Sequence, residues 1–237
     1  MIENKEYIFI HIPKTAGTYV RDILTKFFNG KYNKSLYRFH AIPKNFNTKQ
    51  KLIGLIRNPI ELYVSLFFWI KRGNNTSPLP EIYKNQLFEL TNKYDDDKIN
   101  FKNFILFIYS IDEGFVTNSH WWGKKIDYKN SKKYDIGAYT LIYCMMYLNN
   151  NFNDLINNKK KMDYLINTNN IDNDIINIFS KLNFNIDFFK NECNNLEKKN
   201  CQKHKDYKYY YDNELIKLIE YKERYIYNIA KLYDIKF

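Results

Sequence analysis

Residues 7–24 read YIFIHIPKTAGTYVRDIL. Their opening six, all but one apolar, β-branched or aromatic, predict a buried strand over 7–12. Pro13 ends it, having no N–H to give to a ladder. Lys14, Thr15, Ala16, Gly17 and Thr18 then make a turn of small residues around one lysine. Val20, Ile23, Leu24, Phe27 and Phe28 recur at helical spacing until Gly30, which is placed to end a helix. Strand, tight turn, helix is a layout suited to holding an anion. The free N–H groups of a helix's first turn point back into the preceding turn, and the dipole favours negative charge there. Lys14 adds a point charge, Gly17 allows close approach, and Thr15 and Thr18 add hydroxyl donors. An ordinary turn between a core strand and a helix explains Gly17, but gives no reason for Lys14 beside Thr15. The order differs from G-x-x-x-x-G-K-[ST], since Lys14 precedes the only glycine.

A second strand-to-helix junction follows. Residues 52–56 (LIGLI) are continuously apolar, as buried parallel strands tend to be, and Arg57-Asn58-Pro59 comes directly after. Asn58 is placed to cap a helix, Pro59 suits its first position, and Glu61 completes a capping-box-like pair. Tyr63, Val64, Leu66, Phe67 and Ile70 continue it, with Ser65 about two turns after Arg57. Arginine occurs only at positions 21, 38, 57, 72 and 224, so one at a strand end is informative. A guanidinium there forks onto phosphate oxygens, and a nearby serine adds a donor. Taken singly, Arg57 reads equally as a surface ion-pair partner and Ser65 as an ordinary helix-face serine.

HIPKTAGT resembles the 5′-phosphosulfate loop of sulfotransferases that use 3′-phosphoadenosine 5′-phosphosulfate (PAPS), especially the carbohydrate-modifying ones. RNPIELYVSLFFW resembles their second signature, R-[DN]-P followed by Ser, which binds the donor's 3′-phosphate. HKDYKYYYDNEL, residues 204–215, is similar to the run that precedes their C-terminal helix and closes over the nucleotide. His40, at the end of a short strand expected over 36–40, matches the base histidine of the heparan sulfate 2-O type; without that likeness, a strand-end histidine is more often a structural hydrogen-bonder.

The resemblance implies a three-layer α/β, P-loop-like sulfotransferase fold, with a central parallel sheet flanked by helices, in one domain spanning 1–237. It implies catalytic roles for Lys14 and His40. Donor contacts fall to Lys14, Thr15, Ala16, Gly17, Thr18, Arg57, Ser65, Lys203 and Lys205. His120 and Trp121 are placed by it at the acceptor, although Gly123-Lys124 stand where the family carries Pro-Gln. The late strand and helix, 162–167 and 172–182, match in position, but asparagines replace the family's Arg and Glu. The donor would be PAPS, the product adenosine 3′,5′-bisphosphate (PAP), no metal would be needed, and the acceptor would be a hydroxyl, most simply on a carbohydrate.

The rest of the chain agrees in broad terms. A net charge of +11 fits an anionic ligand or a merely lysine-rich surface; 22 Tyr and 18 Phe give ample core. Helices are expected over 81–94, 101–111 and 138–152, with the Tyr/Met stripe of the last as core. A last helix, capped by Asp212, is expected to run to about 233 with Leu215, Leu218, Ile219, Ile226, Ile229 and Leu232 inward. Cys144, Cys193 and Cys201 form no disulfide framework, though a Cys193–Cys201 bridge stays open. Nothing at the amino terminus resembles a signal peptide or membrane anchor, so a soluble, cytoplasmic protein without membrane insertion or specific nucleic-acid binding is expected. The competing readings are a nucleotide kinase, a polyanion-binding module and a sulfotransferase relative that binds donor without catalysis. The kinase would need a Walker-B aspartate, and no strand ends in one. The polyanion module explains the charge, but not Arg57-Asn58-Pro59 with Ser65.

Overall fold

The strand at Tyr7 and the strand at Leu52 lie side by side and parallel, so both junctions described above open on one edge of one sheet. The computed structural model describes residues 1–32, 49–73, 81–110, 133–192 and 204–237. Five strands form the sheet among them: β1 (Ile2–Glu3), β2 (Tyr7–Phe9), β3 (Lys31–Tyr32), β4 (Lys51–Ile56) and β5 (Tyr164–Asn167), in the order β3-β1-β2-β4-β5. β2, β4 and β5 are parallel, with Phe9 opposite Ile53 and Ile56 opposite Asn167. β1 runs antiparallel to both β2 and β3, so the sheet is mixed rather than wholly parallel. The reason is local. Asn4 Oδ1 accepts from the N–H groups of Glu6 and Tyr7, making a tight turn that folds the first residues back onto β2. The strand expected over 36–40 lies outside the described residues.

Alternation along the strands sends side chains to two cores, one on each face. Tyr7, Phe9, Ile53, Leu55 and Ile166 pack with Val20, Ile23 and Leu24 of α1 (Gly17–Phe27) and with Ile175 and Phe179 of α7 (Ile171–Lys181). Ile8, Leu52, Ile56 and Leu165 face the opposite core. That core is completed by α2 (Pro59–Lys71), α4 (Asp97–Ser110), α5 (Ala138–Tyr147), α9 (Asn213–Lys222) and α10 (Arg224–Leu232). α3 (Glu81–Asn92), α6 (Phe152–Ile156) and α8 (Asp187–Glu192) complete the helices, and Tyr207–Tyr210 forms a 3-10 turn. Helices thus cover both faces of an α/β sheet, with β2 central. No described helix is long and apolar enough to cross a membrane.

Two departures from sequence expectation bear on the site. β2 stops at Phe9, although Ile10 and Ile12 stay buried. The Tyr147 hydroxyl of α5 lies between β2 and β4: it accepts from Leu55 N (2.8 Å) and reaches Leu55 O (2.9 Å) and Ile10 O (3.2 Å). Gly54 makes room, since a Cβ there would stand 3.0 Å from the Tyr147 ring and 2.8 Å from Leu165. The final helix is two helices, broken at Glu223, and Leu232 is exposed. Glu223 turns wholly inward, and its carboxylate accepts from Tyr139 N (3.3 Å), Thr140 N (2.7 Å), Thr140 Oγ1 (2.7 Å), Tyr109 OH (3.3 Å) and Tyr63 OH. It caps α5, whose own Gly137 offers no side chain to do so.

Candidate anion-binding site

Both strand-to-helix junctions form as expected, at the carboxyl ends of adjacent parallel strands, where open α/β sheets place ligands. The loop from Pro13 to Gly17 turns sharply, with Lys14 at φ 66° and Ala16 at φ 58°, both in the left-handed region. Gly17 opens α1 directly over the His11 ring: a Cβ there would sit 1.9 Å from His11 Cδ2. The glycine is therefore required by the imidazole beneath it, whatever approaches from above. No side chain caps α1. Thr15 is buried and donates its hydroxyl to Ile12 O at 2.6 Å, so that group is spent inside the loop and only the Thr15 amide remains for a ligand. Thr18 is half-buried on the first turn.

At the second junction, Asn58 caps α2 by accepting from Ile60 N (3.0 Å) rather than from Glu61 N. Arg57 then closes the gap between the junctions. Its Nη1 donates to Lys14 O at 3.0 Å, and its Nε faces Glu61 Oε2 at 3.7 Å. Glu61 Oε1 in turn accepts from Asn169 Nδ2 (3.1 Å), beyond the end of β5. From behind, the Arg57 backbone N–H donates to the Tyr139 hydroxyl at 3.0 Å. Glu61, Ser65 and Trp69 follow Arg57 at four-residue steps, and these three lie along one half-buried face of α2. Lys14 reaches toward the far end of that face, its Nζ 5.4 Å from the Trp69 ring centroid. Burial, then the charges of Arg57 and Arg72, pull the Lys14 ammonium down from 10.5 to about 8. Concentrated positive charge at an uncapped helix start can hold a phosphate or sulfate.

Of the residues singled out from sequence, Lys14, Thr15, Ala16, Gly17, Thr18 and Arg57 are thus gathered at one edge, while Ser65 lies half-buried about two turns into α2. Lys205 is not joined to them by any hydrogen bond or ion pair among the described residues: it is exposed, with Nζ 3.7 Å from the Tyr209 ring centroid. Its segment nevertheless packs on α2, where His204 stacks on Phe68 and Tyr211 OH donates to Ile60 O at 2.8 Å. His40, His120, Trp121 and Lys203 lie outside the described residues, as do Cys193 and Cys201; Cys144 is buried and free. Sequence reasoning passed over Trp69, Arg72, Glu61 as the Arg57 partner, Tyr139 and Asn169. The four-residue spacing after Arg57 is the signal that points to Glu61 and Trp69. Among the described residues no cluster of His, Cys, Asp and Glu could hold a metal. No family model, curated protein or solved structure matches the chain.

Proposed function

We propose that this protein is a sulfotransferase of P-loop-like fold, which moves a sulfuryl group from PAPS to an acceptor hydroxyl, on a carbohydrate. The observation that carries the reading is the 3.0 Å hydrogen bond from Arg57 Nη1 to Lys14 O. It unites two segments that each resemble a donor-binding signature, one for the 5′-phosphosulfate and one for the 3′-phosphate. In this reading Lys14 and the amides of the 14–18 loop meet the charge that grows on the leaving 5′-phosphate. Arg57 and Ser65 hold the 3′-phosphate. The acceptor oxygen forms a bond to sulfur as the bond from sulfur to the phosphate oxygen breaks in line, and His40 takes the acceptor's proton. Such catalysis consists mainly of positioning and charge stabilisation.

The test begins with thermal unfolding in the presence of PAP, of ATP with Mg²⁺, and of neither. A ligand at 100 times its dissociation constant stabilises by about 2.7 kcal/mol. Stabilisation by PAP alone is expected; none, or a larger effect of ATP with Mg²⁺, overturns the donor assignment. His40→Ala then separates an enzyme from a donor-binding relative that does not catalyse. It is expected to keep PAP binding and lose most sulfuryl transfer to sugar acceptors, and full turnover in that variant removes His40 as the base.

A further inference from the structure

Lys14 and Arg57 meet at one edge of the sheet, and Arg72, at the far end of α2, adds its charge to that of Arg57 on the Lys14 ammonium. A lysine in that company needs a partner. The carboxylate on this face of α2, Glu61, is committed to Arg57 and Asn169. Among the described residues Lys14 enters no ion pair. Its Nζ instead stands 5.4 Å from the centroid of the half-buried Trp69 indole. That is inside the roughly 6 Å over which a ring quadrupole attracts a cation.

We propose that Trp69 is the positioning residue for Lys14: its ring face holds the ammonium charged and in place beside the 14–18 loop without neutralising it. The choice of an aromatic over a carboxylate has a physical reason. A carboxylate at this distance would repel an incoming phosphate or sulfate and compete with it for the lysine. A ring face restrains the cation, carries no net charge, and leaves the field of the cluster directed at the ligand. The two cations are thus handled differently. Arg57, already fixed by Lys14 O, tolerates Glu61, while Lys14 is kept apart from any described acid. The functional half of this proposal rests on the donor-site reading above.

The test compares Trp69→Leu and Trp69→Phe in the full chain by two readouts. One is the titration of the Lys14 side chain by NMR, its signal assigned by loss in Lys14→Met. The other is the dissociation constant of PAP between pH 6 and 9. Leucine removes the negative ring face together with part of the apolar cover; loss of cover alone would raise the Lys14 midpoint, so a fall of roughly one pH unit is expected as the mark of the lost ring face. PAP binding at pH 8 is expected to weaken about 3- to 10-fold and to converge with wild type near pH 6, where the lysine is charged in both. Phenylalanine should retain most of both properties. A Lys14 midpoint in Trp69→Leu equal to or above that of wild type overturns the proposal, since a tryptophan that only packs or covers the lysine would lower the melting temperature and leave the midpoint in place or raise it. Should the leucine variant fail to fold, the phenylalanine variant tests the same contact through a smaller downward step, and a midpoint there equal to or above wild type overturns it likewise. If the wild-type protein binds no PAP at any pH, the donor reading falls, while the NMR midpoints still decide the Trp69 contact.

Discussion

Replacing Lys14 by methionine is expected to make the ligand-free protein more stable. The ammonium titrates at about 8 in the fold against 10.5 for an ordinary lysine, because it is buried and faces Arg57 and Arg72. Between those two values the unfolded chain binds the proton that the folded chain has released, so stability rises with pH across that window. Below about 8 both states carry the charge, and the fold bears its full cost. At ~1.36 kcal/mol per pH unit, that cost has a ceiling of ~3.4 kcal/mol. Lys14 is half-buried rather than sealed, and solvent screening brings the figure to about 1–2 kcal/mol. Methionine keeps the length of the side chain and shares the left-handed backbone at φ 66°, so the comparison isolates the charge. Urea unfolding of both proteins without ligand, from pH 6.5 to 10.5, measures it. Lys14→Met should be ~1–2 kcal/mol more stable at pH 7, the gap should close toward pH 10.5, and, on the proposed donor reading, PAP should stabilise wild type but not the variant. A variant that is equally or less stable at pH 7, or a gap independent of pH, refutes the argument that the lysine is held at a cost.

Two further substitutions probe what holds the site from behind. Glu223→Ala leaves the N-terminal N–H groups of α5 and several hydroxyls unsatisfied in a sealed interior and is expected to cost ~3–5 kcal/mol in urea unfolding. Burial raises the Glu223 carboxyl above its usual range against the pull of those donors. Its contribution is therefore full below about 4.5 and declines as pH rises through the folded value, and Glu223→Gln should remove that dependence. Tyr147→Phe strands the Leu55 N–H between β2 and β4 and is expected to cost ~1–3 kcal/mol, with faster hydrogen exchange at that amide as the specific readout.

How much of this was legible in the chain follows from the range of the interactions. The loop at Lys14 and the cap at Asn58 are local, and Pro13, Gly17, Asn58 and Pro59 announce them within a few residues. Burial of the 138–147 stripe was equally plain from its periodicity. That Tyr139 and Tyr147 would turn their hydroxyls on the β4 backbone was not, because those bonds join positions more than 80 residues apart. The break at Glu223 was hidden for the same reason: the apolar spacing runs through it unbroken, and only the uncapped end of α5 explains why the carboxylate leaves the helical register. β1 and β3, two residues each, are too short to show a period of two.

The distribution of polar groups around Arg57 gives the cluster its direction. Behind the strand ends, contacts come from neutral hydroxyls, Tyr139 on Arg57 N and Tyr147 on Leu55 N and O, with the Glu223 carboxylate set farther back at the start of α5. On the loop side, Glu61 meets the Arg57 guanidinium. Among the described residues Lys14 enters no ion pair, and burial, then the charges of Arg57 and Arg72, push it toward losing its proton. A fold shaped for stability alone would gain from an acid beside Lys14 or from an uncharged residue in its place. On the donor-site proposal, an arriving phosphate or sulfate would supply that missing negative charge, draw the Lys14 proton back, and remove the cost. Affinity and ligand-free instability are on this account one quantity seen from two sides, which is why a methionine at position 14 should gain the second by giving up the first.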